Sequence, residues 1–299
     1  MIFRGLLMAA TLVLLPALGM AAEFRLAPYK DKLFSNPKPF RTLYGGGLEM
    51  IEYSVEKDLR QRDEIVEKKA RPEYVSLEPV AREYDLTLRD GAVKTSLVAV
   101  GNVEGAAKIV VLFLHGRGAG RRAGFDDWTF GGNFNRIKNL MVRNGGVYAA
   151  PSFADFRETG RDQVKGVMKA FAEKSPGVPI FIACASAAGA LCTALVEDPV
   201  ARPLLAGVLF LGSGVHDIEA DARAFADATP PVPLFIAHGS KDQIVNWVRL
   251  ELFFKALRAA SPNYPVRFQL FVPGQHGTPM RMTDWRKIIN WMLSLRQAG

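Results

Sequence analysis

Pro179-Ile180-Phe181-Ile182-Ala183-Cys184-Ala185-Ser186-Ala187-Ala188-Gly189 sets one serine between a uniformly apolar run and a segment of small residues that opens a helix. An apolar run of this length reads as a strand buried on both faces, and Ala188 to Val196 reads as the helix after it. A serine on so sharp a strand-to-helix turn is held away from the sheet, which makes it a candidate nucleophile. That turn requires small residues two places before and after the serine. Cys184 and Ala188 supply the small size in place of the two glycines of G-x-S-x-G. The competing role for Ser186 is an ordinary helix cap.

Outward from this stretch the same alternation repeats. Ile109 to Leu114, Val147 to Ala150, Ala206 to Leu211, Pro233 to Ala237 and Val266 to Val272 read as further buried strands. Asn133 to Arg143, Arg161 to Glu173, Val245 to Ala259 and Thr283 to Leu295 read as the intervening helices. Strand, helix, strand in repetition predicts an α/β fold with a mostly parallel central sheet and helices on both faces. Ahead of it, Glu83 to Leu88 and Thr95 to Val100 flank the turn Arg89-Asp90-Gly91 and predict an antiparallel leading hairpin. A dinucleotide site is disfavoured, because no G-x-G-x-x-G follows the first parallel strand. His115-Gly116-Arg117-Gly118-Ala119-Gly120 likewise lacks the Lys-Ser or Lys-Thr of a P-loop.

Three further loops at strand ends carry polar chemistry: His115-Gly116-Arg117-Gly118, His238-Gly239-Ser240-Lys241-Asp242 and His276-Gly277. With Ser186 they resemble the α/β hydrolase family, especially its lidless esterase, dienelactone-hydrolase-like and prolyl-oligopeptidase-like branches. The resemblance covers roughly residues 80–296. It implies Ser186 as nucleophile, Asp242 as acid and His276 as base, with the loop after the early strand supplying the oxyanion site. The residue chemistry converges on the same set. A serine hydroxyl needs an imidazole to take its proton and a carboxylate to orient that imidazole, and Ser186, Asp242 and His276 follow in that order after strand-like segments. The backbone N–H of Ala187 is one candidate oxyanion donor, and the resemblance makes that of Arg117 the second.

The expected reaction is hydrolysis of a carboxylic ester through an acyl-enzyme, with no cofactor and no metal. Thioester or amide cleavage would use the same groups, and an inactive, hydrolase-like binding protein is the rival of another class. His115 is expected to shape the oxyanion loop and His238 the turn before Asp242. His216, after another strand, competes with His276 for the role of base. Trp128, Phe130, Phe153 and His216 are candidate pocket residues. Arg121, Arg122 and Arg157 are candidate partners for an acidic substrate group. The chain leaves room for only a short element between Leu211 and Pro233, so the site should be open.

At its N-terminus, a basic start at Arg4, apolar Gly5 to Ala17 and small Gly19-Met20-Ala21-Ala22 predict a secretory signal peptide over 1–22 and a periplasmic or secreted protein. The apolar run is shorter than the roughly 20 residues a membrane-spanning helix needs. Residues 23–73 read as an arm, with Leu48, Ile51, Val55 and Leu59 spaced for one face of a helix that runs to Lys69. The hydrolase domain then occupies 74–299. The 299 residues, 49% of them hydrophobic, suffice for one well-buried domain. A net charge of +8 is scattered among acids rather than gathered in a basic run, which argues against nucleic acid as a partner. A small-molecule ester or related acyl compound is the expected ligand, and composition does not set the oligomeric state. Cys184 and Cys192 are expected to stay unpaired, with a strand-to-helix separation beyond the roughly 7 Å a disulfide spans.

Overall fold

Strands that are apolar on both faces must be covered on both sides, and the helices that do so are set by the connections between them. The computed structural model describes residues 24–65 and 69–296, so the expected signal peptide lies outside the described residues. The arm supplies α1 (Asp31–Phe34), β1 (Arg41–Leu43), β2 (Leu48–Glu52), a wide helical turn at Val55–Arg60, and the small pair β3 (Asp63–Ile65) and β4 (Lys69–Ala70). The leading hairpin is β5 (Glu83–Asp90) and β6 (Val93–Gly101). Next come β7 (Val110–Leu114), α2 (Asn133–Arg143), β8 (Val147–Pro151), α3 (Glu158–Lys174), β9 (Ile180–Ala185) and α4 (Gly189–Glu197). The chain continues with β10 (Leu205–Leu211), α5 (Ile218–Ala226), β11 (Leu234–Gly239), α6 (Trp247–Ala260), β12 (Val266–Val272), α7 (Thr278–Met282) and α8 (Trp285–Arg296).

Ten strands form one sheet in the order β1-β2-β12-β11-β10-β9-β7-β8-β6-β5, parallel from β2 through β8. The hairpin β5–β6 closes one edge antiparallel, as the alternating sequence predicted. Successive residues of β7 divide between two cores. Val110, Leu112 and Leu114 pack with α3, α4, α5 and α6, whereas Val111 and Phe113 pack with α2 and α8. From β7 the chain passes through α2 to β8 on one side, and from β9 through α4 to β10 on the other. The carboxyl ends of β7 and β9 therefore flank the crevice where strand order reverses, the usual ligand position in an open α/β sheet.

Two expectations are corrected. Of the helix expected from Leu48 to Lys69 only the turn Val55–Arg60 is helical; its first part is strand β2, paired in parallel with β12 from Leu48 opposite Phe268 to Glu52 opposite Val272. Without β2, β12 would present an edge of unpaired backbone, and filling that edge overrides the helical spacing of Leu48, Ile51, Val55 and Leu59. Gly45 and Gly46 make the turn from β1 possible, with φ of 65° and 87°. Because β1 and β2 belong to the main sheet, this part of the arm is built into the domain. The second correction is that Cys184 and Cys192 form a disulfide across a Cα separation of 6.4 Å. The elbow folds α4 straight back onto the end of β9, and both cysteines face the same buried core.

Candidate active site

Ser186 takes φ of 53°, the left-handed region that side chains other than glycine seldom adopt. Small size at the elbow is what permits it. Its hydroxyl caps neither the short turn Ser186–Ala188 nor α4, so the helix-cap role does not apply. Gly189 seats the helix: a Cβ there would stand 2.5 Å from the Gly214 carbonyl oxygen.

Asp242 lies in the loop after β11 and His276 in the loop after β12. The His276 Nδ1 hydrogen-bonds Asp242 Oδ2 at 2.7 Å, with the carboxylate fully buried and the imidazole partly open to solvent. Asp242 Oδ1 accepts from the backbone N–H groups of Ile244 at 2.8 Å and Val245 at 3.0 Å. On Oδ2 stands a second imidazole, His238 Nε2 at 3.2 Å, which also lies 2.9 Å from the Val245 carbonyl oxygen. Burial by itself would raise the Asp242 carboxyl. The bonds from His238, the Val245 N–H, His276 and the Ile244 N–H outweigh it and hold the group well below the usual carboxylate range. The carboxylate thus stays charged at every pH where an imidazole could act as a base.

His276 lies against Gly212, at the end of β10, where a Cβ would stand 3.6 Å from Nδ1. Strand β10 neighbours β9, so the imidazole sits over the strand beside that of Ser186. No hydrogen bond joins the Ser186 hydroxyl to His276 among the described residues; in unliganded sites such contacts are often long and tighten with substrate. On the other side, Gly116 approaches the serine so closely that a Cβ would stand 3.0 Å from that of Ser186. The Gly116 carbonyl accepts from His115 Nδ1 at 3.0 Å and from the Ala119 N–H at 3.3 Å. A trans peptide puts the Arg117 N–H opposite that carbonyl, so these two bonds fix its direction. The His115 ring is itself held, stacked on Phe153 at 4.3 Å.

Beside His276 opens a cavity of about 410 Å³ lined by Tyr53, Val55, Leu59, Thr129, Phe130, Gln275, Thr278 and Arg281 among others. Of the four pocket residues expected from sequence, only Phe130 lines it. Phe153 is committed to His115 and to Phe156, and Trp128 is absent from the lining, its carbonyl accepting from the Ala70 N–H. His216 is exposed; its N–H bonds the Asp221 carboxylate, while Asp217 caps α5, so neither completes the Asp242 pair. Among the arginines, Arg117 lies over the Phe156 ring at 5.7 Å, and Arg121 and Arg122 both pair with Asp85. The arm residues of the cavity carry no sequence motif. Their only signal was apolar character at 53, 55 and 59.

A buried charge cluster locks the arm to the His276 loop. Arg281 donates to Asp63 through both terminal nitrogens at 3.1 and 2.8 Å, and Arg62 donates to the Gly131 carbonyl at 2.9 Å and to that of Arg281 at 3.3 Å. Burial and the neighbouring Arg281 charge lower the Arg62 guanidinium to about 9. Asp63→Asn should therefore destabilise the fold by about 3–5 kcal/mol, since it leaves the Arg281 charge buried without its anion. Urea unfolding of the two proteins measures this; a change under about 0.5 kcal/mol, the scale of an ordinary surface substitution, would contradict it.

No protein-family model matches the sequence, and no curated protein matches it. Solved structures do. The Pyrococcus furiosus esterase Pf2001 superposes with a TM-score of 0.54 at 13% identity, over 74% of this chain and 93% of that one. A thermostable esterase gives 0.55 at 17% identity, over 73% of this chain and 64% of that one. A thermostable esterase from Pseudomonas putida gives 0.50 at 16%, over 74% and 82%. With the sheet order and crossovers above, these likenesses give the chain the α/β-hydrolase fold.

Proposed function

We propose that this protein is a serine hydrolase that cleaves small carboxylic esters through an acyl-enzyme. The observation that carries the reading is the buried Asp242 carboxylate bonded at 2.7 Å to His276, on the same edge of the sheet as a serine held at φ of 53°. The esterase function of the structural neighbours Pf2001 and the Pseudomonas putida protein supports it.

In this reading Asp242 fixes the proton on His276 Nδ1, which leaves Nε2 as the acceptor for the Ser186 hydroxyl proton. The Ser186 oxygen bonds the ester carbon, and the carbonyl electron pair moves onto oxygen, facing the N–H groups of Ala187 and Arg117. Ala187 lies in the first turn of the helical segment that begins at Ser186, where a backbone donor is free of intrahelical bonds. Collapse breaks the bond to the alkoxy oxygen, which takes the proton from His276 and leaves as the alcohol. Water then attacks the acyl-serine with His276 again as base, releasing the carboxylic acid and restoring Ser186. Treatment with a fluorophosphonate probe tests the assignment: mass analysis should find one covalent adduct on Ser186 and none on Ser186→Ala. A folded wild-type protein that takes no label would favour the rival binding function.

A further inference from the structure

We propose that the cavity beside His276 binds the alcohol part of the ester and that the N-terminal arm, through Tyr53, Val55 and Leu59, selects an uncharged alcohol about the size of an aromatic ring. This rests on the serine-hydrolase reading above. The leaving oxygen must come within about 2.6–3.2 Å of the imidazole that protonates it, so the group attached to that oxygen lies on the His276 side of the reacting carbon. The cavity is on that side: Gln275, His276, Gly277 and Thr278 form one wall, and neither Ser186 nor Gly116 belongs to its lining.

Its chemistry narrows the occupant. Tyr53 and Phe130 offer ring surface and Val55 and Leu59 aliphatic surface, which suits an aromatic or branched group by offset or edge contact. A volume of about 410 Å³ is near the low end for sites that enclose small ligands. Arg281 is the one permanently charged side chain in the lining, and both of its terminal nitrogens are already bonded to buried Asp63. An anionic alcohol would have to displace that carboxylate, and a cationic one would face the guanidinium. Phe130 itself is held at φ of 49°, an unfavourable conformation for a bulky residue, with its ring against Gly277. The next peptide is fastened by Arg62 of the arm through the Gly131 carbonyl. The arm thus supplies part of the wall directly and holds another part in place.

The test compares phenyl acetate with methyl acetate, which share an acyl group and therefore a deacylation step. Val55 is 41% exposed, so Val55→Trp can reach over the cavity without disturbing a packed core. It should lower the phenyl-to-methyl ratio of kcat/KM by about tenfold or more, a loss in the range expected when a pocket no longer fits its group. Leu59→Ala, which enlarges the cavity, should instead improve 2-naphthyl acetate relative to phenyl acetate. Phenol binding to Ser186→Ala, followed by ligand-observed NMR, should be present and weakened by the added Val55→Trp change. A ratio that stays within about twofold in Val55→Trp overturns the proposal, as does a change that follows acyl length in methyl acetate and methyl hexanoate instead. Absence of phenol binding to folded Ser186→Ala overturns the cavity assignment alone. A wild-type protein that hydrolyses none of these esters overturns the serine-hydrolase reading on which it rests.

Discussion

Ser186→Ala should reduce kcat for a small ester by on the order of 10⁵- to 10⁶-fold while KM changes little. The size follows from what the substitution leaves. Without the hydroxyl no acyl-enzyme forms, and the amides of Arg117 and Ala187 retain only electrostatic stabilisation of a direct attack by water. The substitution is also clean structurally. Alanine keeps the Cβ, so the conformation at φ of 53° is no more strained than before, and the lost hydroxyl is not holding a helix end. Unfolding transitions of the two proteins should coincide. Steady-state turnover of phenyl acetate by folded Ser186→Ala measures the effect, and a loss of less than about tenfold would remove Ser186 as nucleophile.

The parts of this chain that were legible in its sequence are those where local pattern and tertiary demand agree. Buried parallel strands need apolar side chains on both faces, so Ile109 to Leu114 and Pro179 to Ala183 read as strands and fall on β7 and β9, and the elbow required small residues that could be seen at 184 and 188. The Ser, Asp, His order pointed to a pair that the structure brings to 2.7 Å in Asp242 and His276. The arm failed as a reading because its fate is decided at a distance. Leu48, Ile51, Val55 and Leu59 fit a helix locally, and only the open edge of β12, more than two hundred residues on, turns their first part into a strand. The same remoteness hid the cavity, whose walls come from the arm, the Thr129–Phe130 loop and the segment after β12. The disulfide was missed for a geometric reason: sequence separation along a strand and a helix overstates distance when the turn between them doubles back. His238 was read as a turn residue, and nothing in the spacing of 238 and 242 disclosed that its ring would lie on the Asp242 carboxylate.

That second imidazole makes the outcome at Asp242 more specific than a lost charge. Asp242→Asn should lower kcat by on the order of 10⁴-fold, less than loss of the serine, and the hydrogen-bond inventory gives the reason. Oδ1 accepts two backbone N–H groups, from Ile244 and Val245, so an asparagine must keep its carbonyl oxygen there. Its amide nitrogen then occupies the Oδ2 position, facing His276 Nδ1 and His238 Nε2, both of which had donated to the carboxylate. His238 can keep its bond to the Val245 carbonyl. His276 is left with one way to remove the clash, which is to accept at Nδ1 and carry its proton on Nε2, where it can no longer take the proton of Ser186. In the wild-type protein Asp242 is held below the usual carboxylate range, so its hydrogen-bonded stabilisation is complete above that range and is withdrawn only as pH falls through the depressed value. The defect of Asp242→Asn should therefore persist across the neutral range, where the wild-type carboxylate stays charged. Nitrogen chemical shifts of the His276 ring distinguish the two tautomers, and kcat measured against pH in Asp242→Asn and His216→Ala completes the test. Near-normal turnover by Asp242→Asn, or a loss in folded His216→Ala with His276→Ala still active, would show that the Asp242–His276 pair is not the base.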